Sequence, residues 1–280
     1  MKIMPLPERI IDFHVHLFPD RMFDAIWNYF SDGYRWDVIY KMYTPECIDY
    51  LREQGVEKIV YSNYAHREGI AEILNEWNIR MLDLYPELYC FAAYHPDDSN
   101  ALAKAERALA HPKVLGFKLQ LLVQCFYPHD ERLFPLYELV MQRGKRILFH
   151  VGTGPVGNEY VGLSQFRKLL ARYPDLPANV AHMGAYEYRG FMDLLEEYPA
   201  LYLDTAFAFF GEFQDKGGFN LGGDVLERNR DRILYGSDFP NLILPRESEL
   251  ETLLSYSLSS DFYDRIFYLN GAELIKRHSS

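Results

Sequence analysis

Short apolar, branched runs recur along the 280-residue chain on a nearly regular beat. They are RIIDFH (9–14), VEKIVYS (56–62), LYCFAAYH (88–95), KVLGFKL (113–119), RILFHV (146–151), NVAHM (179–183), LYLDTA (201–206) and RILYGS (232–237). Each is too short for a helix, and each gives way to a polar or Gly/Pro-bearing stretch. Most lead into segments with helical periodicity, clearest at 67–85, 100–110, 131–144 and 164–173. Eight buried strands alternating with surface helices predict an α/β fold, a (β/α)8 TIM barrel. An open doubly wound sheet is the rival, because periodicity does not report closure. Residues 20–50 exceed a minimal first connection, and 207–228 are rich in Phe and Gly. Both are expected as lids or pocket walls on one domain spanning 1–280, since no repeat or low-complexity linker interrupts the pattern.

The polar residues gather at one kind of place. His14 and His16, two apart where the first run stops, share a strand face and can offer imidazole nitrogens to one ion. His150 and His182 stand one residue before the ends of the fifth and sixth runs, and Asp238 follows the last. In a barrel these ends converge on the face that carries active sites. An ionised acid buried there calls for a cation or donors. A divalent metal is therefore expected where His14, His16, His150, His182 and Asp238 meet. The set contains histidine and no thiolate, so zinc is the first choice, with Mn²⁺, Fe²⁺ and Co²⁺ as alternatives. Asp238 is a ligand, a proton acceptor, or each in turn, and His182 is a base or electrophile beside it. Lys118 lies in an apolar strand, where it snorkels, pairs with a carboxylate, holds a substrate carboxylate or bridges two metals; the last option makes the site binuclear. His66, Arg67, His95, Gln120, Tyr160, Tyr186 and Asn241 are substrate-binding candidates at strand ends and loops, together with Tyr61, Asn63, Gln124 and Glu159. Asp204, ending the seventh run, is expected to orient a neighbour.

Composition narrows the partners. A formal charge of −11 argues against nonspecific nucleic-acid binding, and the glycines of GTGPVG (152–157) lack phosphate-loop spacing. Cys47, Cys90 and Cys125 are too scattered for a disulfide framework or a cysteine-rich zinc site. With no signal peptide and no membrane-length apolar run, a cytoplasmic protein acting on a small molecule is expected. Homo-oligomerisation is left open.

The ordered motifs IDFHVH, GFKL, FHVG, AHMG and LYGSDFP resemble the amidohydrolase-related branch of the metal-dependent hydrolase superfamily. That branch includes aminocarboxymuconate-semialdehyde decarboxylase-like enzymes and lactone hydrolases. The likeness runs from the first strand to NGAELI at 270–275. It implies that His14, His16, His150 and Asp238 bind or face the metal. It also implies that His182 activates water or polarises the reacting group. The decarboxylases tend to a glycine-richer stretch where this chain reads AHMGAY. The leading expectation is hydrolysis of an amide, ester or lactone by activated water. Nonoxidative decarboxylation of an unsaturated or aromatic acid is the runner-up, with Arg67 or Lys118 on the carboxylate. A noncatalytic, metal-stabilised binding protein is the third reading.

Overall fold

A computed structural model describes residues 7–211 and 217–278. All eight apolar runs are strands: β1 (Ile10–His16), β2 (Val56–Ser62), β3 (Leu88–Ala93), β4 (Val114–Gln120), β5 (Arg146–His150), β6 (Ala178–Val180), β7 (Leu201–Asp204) and β8 (Ile233–Leu234). They pair in parallel and in sequence order. Backbone bonds join the last segment to the first. Phe13 N donates to Tyr235 O, His16 N to Phe239 O, and Asp238 N to His14 O, at 2.8, 2.8 and 2.9 Å. The sheet thus closes as a (β/α)8 barrel, and the open-sheet rival is excluded.

The intervening helices are α1 (Asp20–Tyr34), α2 (Thr44–Glu53), α3 (Ile70–Leu84), α4 (Ala101–Leu109), α5 (Leu121–Gln124), α6 (Phe134–Gln142), α7 (Leu163–Arg172), α8 (Tyr188–Glu197), α9 (Gly223–Arg228), α10 (Arg246–Ser255), α11 (Ser260–Asp264) and α12 (Asn270–His278). None of the described helices is long and apolar enough to cross a membrane.

Two apolar layers follow from strand alternation. Ile11, Phe13, Val60, Phe91, Leu115, Leu148, Ala181, Tyr202 and Leu234 form one cluster with Leu274 and Ile275 of α12. Every strand or its immediate end contributes to it, as expected for a filled barrel interior. The larger cluster packs the opposite strand faces against the helices. Gly116 permits a phase change in β4. A Cβ there would lie 1.7 Å from Arg146 O, and the β3–β4 register shifts just before it. Leu115 belongs to the interior cluster, whereas Phe117 and Leu119 belong to the outer one. By alternation Lys118 and Gln120 then face inward near the mouth.

The sixth and eighth strands are shorter than their apolar runs. The backbone turns at His182 and Met183, with φ of 58° and 52°, and at Asp238, with φ of 62°. Left-handed non-glycine residues are costly unless surrounding contacts hold them. Here they break the strands where polar side chains are presented. Segment 20–50 folds as α1, a connecting stretch and most of α2. The Phe/Gly-rich segment 207–228 runs from a loop into α9, and its residues 212–216 lie outside the described residues.

Candidate metal centre and its cavity

His14 and His16 leave the end of β1 side by side, their rings 5.1 Å apart. His14 is fully buried, and its Nδ1 lies 2.8 Å from Asp204 Oδ2. A carboxylate only accepts, so Nδ1 carries the proton and Nε2 presents a lone pair. That Nε2 has no hydrogen-bond partner, yet it stands 3.4 Å from Asp238 Oδ1. Two acceptors facing each other in a buried place fit a cation between them. His16 Nε2 is 3.1 Å from the same Asp238 oxygen, converging on this point. Donor atoms of His14, His16 and Asp238 all lie within 4.8 Å of one another. A divalent ion fits this donor set. Close approach of β8 to β1 is required, and Gly236 allows it: a Cβ there would fall 2.6 Å from His14 Cβ.

Asp204 organises the next pair. Its Oδ1 accepts from His182 N at 2.9 Å while its Oδ2 holds His14. His182 Nδ1 is 2.8 Å from Ala206 O, an acceptor, so this nitrogen also carries a proton. His182 Nε2 then meets His150 Nδ1 at 3.1 Å. His150 Nε2 is buried without a hydrogen-bond partner. The grouping of His14, His182 and Asp204 within 4.8 Å is thus accounted for by hydrogen bonds.

The charges follow from burial. Burial depresses the imidazolium forms of His14 and His150 far below the usual range, and Lys118 adds to this. Neutral rings are what a metal needs as ligands. Burial pushes Asp204 up to about 6, against the opposing pull of His182 and Lys118. Burial also works to raise Asp238, but the His16 bond and the surrounding histidines outweigh it and hold the acid low. Lys118 is fully buried, and that burial brings its amine down to about 8 against the attraction of Asp204 and Asp238. Its Nζ has no hydrogen-bond partner.

A cavity of about 630 Å³ opens above this floor, and His16, His150, His182 and Asp238 all line it. His66, Gln120, Tyr186 and Asn241 line it as well. Arg67, His95 and Tyr160 are not among its described walls. Arg67 is exposed, the His95 ring packs on Phe126 with centroids 6.0 Å apart, and Tyr160 packs on Tyr127 at 4.9 Å. Tyr61 and Asn63 are drawn into a buried network on Asn78, at 3.1 and 2.6 Å. Gln124 braces Ala65 O and Tyr94 O, both at 2.9 Å, and Glu159 accepts from Tyr127 Oη at 3.0 Å.

Sequence reasoning expected lids or pocket walls at 20–50 and 207–228 but named no aromatic side chain as lining. Phe18, Tyr29, Phe30, Tyr34, Trp36, Tyr64, Tyr188 and Phe207 line the cavity. The signal was available in part: α1 carries more apolar positions than one core-facing stripe uses.

The sequence model of a family described as Amidohydrolase matches residues 11–277. No curated protein matches the chain. Solved structures do share the fold. An uncharacterized TIM-barrel protein from Bordetella bronchiseptica is 18% identical with a TM-score of 0.73, over 97% of this chain and 100% of its own. A 2,6-dihydroxybenzoate decarboxylase from Rhizobium is 15% identical at TM-score 0.66, over 97% and 99%. A 5-carboxyvanillate decarboxylase from Novosphingobium aromaticivorans, complexed with manganese and 4-hydroxy-3-methoxy-5-nitrobenzoic acid, is 13% identical at TM-score 0.62, over 97% and 100%. None of these three is named as an aminocarboxymuconate-semialdehyde decarboxylase, and that finer likeness gains no support from them.

Proposed function

The chain belongs to the amidohydrolase family, and from that premise we propose that it is a divalent-metal-dependent enzyme releasing CO₂, without a redox step, from a flat aromatic or unsaturated carboxylic acid. The observation that carries this reading is a pair of facing acceptors, His14 Nε2 and Asp238 Oδ1, opening onto an aromatic-walled cavity. Hydrolysis, the first expectation from sequence, yields to decarboxylation on two grounds. The walls suit a flat ring, and two enzymes that share the fold are named as decarboxylases of substituted benzoates.

His14, His16 and Asp238 would hold the ion, with His150 Nε2 available at the same mouth. Nitrogen and oxygen donors suit zinc or manganese, and the manganese complex of one structural relative supports the latter. When bound, such an ion neutralises substrate oxygens and stabilises negative charge developing on the ring.

The chain's own groups account for the proton. Breaking the bond to CO₂ leaves an electron pair on carbon, so one proton must reach that atom. His182 Nδ1 is committed to Ala206 O, and only Nε2 is free to exchange a proton at the mouth. His150 Nδ1 is positioned to pass a proton to or from it. Protonated His182 delivers the proton to the vacated carbon as CO₂ leaves, and solvent restores it. Lys118, beneath the mouth, supplies positive field near Asp204 and Asp238. Its burial keeps it away from a direct grip on substrate.

The test uses a panel of hydroxybenzoic acids in D₂O. Expected are CO₂ release and one deuterium at the vacated ring carbon, abolished by chelator and restored by zinc or manganese. Solvent oxygen entering the product with no CO₂ formed would replace this reading with hydrolysis.

A further inference from the structure

α1 carries two apolar stripes where one would bind it to the barrel. Phe23 and Trp27 are buried in the core, stacked at 5.2 Å. Met22, Ala25, Ile26, Tyr29 and Phe30 fall at helical spacing on an adjacent face and line the cavity. That second stripe is half-buried to exposed, with Tyr29 56% accessible. Opposite it the Trp36 ring stacks on Phe207 at 5.7 Å, which ties the segment after α1 to the loop after β7.

Size and charge then restrict what fills the space. A dry apolar cavity of about 150 Å³ holds benzene, whereas this one measures about 630 Å³. A single substituted ring seated at the histidines leaves most of the α1 wall uncovered. Among the described lining residues there is no arginine or lysine, and the cationic partners they offer an anion are the histidines of the floor and His66. A second carboxylate against the α1 wall would find no cation there, only the hydroxyls of Tyr29 and Tyr34, which are 3.3 Å from each other.

Resting on the decarboxylase reading above, we propose that the substrate is a bulky acid with one carboxylate at the floor and a large apolar substituent, of about one further ring, on the Ile26–Phe30 stripe. Specificity for that substituent belongs to α1 and not to the metal-holding residues.

Three probes test this on the metal-loaded protein: salicylate, a phenyl-substituted salicylate, and a hydroxyisophthalate bearing a second carboxylate. Binding is measured by titration calorimetry alongside CO₂ release. The phenyl-substituted acid is expected to bind at least about tenfold tighter than salicylate, and the dicarboxylate no tighter than salicylate. The double variant Ile26→Ala, Phe30→Ala should lose that roughly tenfold advantage, read as the ratio of the two affinities within the variant. Circular dichroism checks that the variant is folded. Salicylate binding as well as its phenyl derivative, or equal loss of both in the variant, overturns the inference and leaves the decarboxylase reading standing. Binding in the proposed order without CO₂ release overturns that reading and keeps the apolar wall. No binding of any probe overturns the inference.

Discussion

Strand β5 begins and ends on a buried cationic or basic side chain, and the two are treated differently. At its start Arg146 is 2% exposed and donates to Asn179 Oδ1, Ala178 O and Ala200 O, each at 2.8 Å, with its guanidinium over the Tyr202 ring. Around it Lys145 donates to His278 O, and His278 Nδ1 donates to Gly144 O. Four residues on, His150 ends the strand with Nε2 unpartnered, and His14 Nε2 and Lys118 Nζ are unpartnered beside it. The lower end also leaves two atoms unpaired, Asn179 Nδ2 and His278 Nε2, and of all five residues only His150 lines the cavity. Buried polar groups are ordinarily satisfied, because an unpaired one costs about 1–3 kcal/mol. Arg146 obeys that rule by donating to Asn179 Oδ1 and to the carbonyls of Ala178 and Ala200. At the upper end His14 Nε2 breaks it while facing an acceptor, Asp238 Oδ1, at 3.4 Å, and this is how a place that fits a cation differs from a plug.

Perturbing each end should separate chemistry from stability. The largest effect is expected from His14→Ala, which removes the lone pair facing Asp238. Bound metal falls to near zero and turnover by roughly 10³-fold or more, while the metal-free protein keeps its fold. Elemental analysis and circular dichroism check both halves. Next is His182→Asn, which keeps a donor toward Ala206 O but lacks a transferable proton. Metal is retained and turnover falls by roughly 10²-fold; complete metal loss would reassign His182 as a ligand.

At the lower end Arg146→Met strips donors from three acceptors. The expected loss is about 1–3 kcal/mol of stability in urea unfolding, with turnover per folded molecule unchanged. A collapse of turnover in a folded Arg146 variant would end the distinction between the two ends. The smallest effect is a pH slope. Burial pushes His278 down to about 4, although its bond to Gly144 O opposes this. Between the unfolded value near 6.5 and that figure, the unfolded chain binds a proton that the folded chain refuses. Stability is therefore full above pH of about 6.5 and falls as the medium is acidified toward 4. Thermal melts of His278→Gln should show a shallower decline across that window than the parent protein.

Much of this arrangement was legible in the residues. The eight runs kept their order as strands because each is a short, mainly apolar stretch with a turn signal behind it. The helix expected over 131–144 divides at Leu133 into a short 3-10 turn and α6, where Pro135 stands at the first turn. The runs ending in His182 and Asp238 overshot their strands, since local propensity does not register the left-handed turns imposed by neighbouring contacts. Arg67, His95 and Tyr160 follow strands or lie in upper loops, as Asn241 does, but position along the chain does not fix the direction of a loop side chain.

What the sequence determined by itself was the alternation that builds the barrel, and the placing of His14, His16, His150, His182 and Asp238 where its strands end. Both are properties of short stretches, in which periodicity and residue type suffice. Only the tertiary structure decided that Asp204 grips His14 and His182 together, that two acceptors are left face to face, and which side chains of α1 line the cavity. Those features depend on distances between residues as far apart in the chain as 14, 204 and 238, which closure of the sheet sets and local pattern cannot encode.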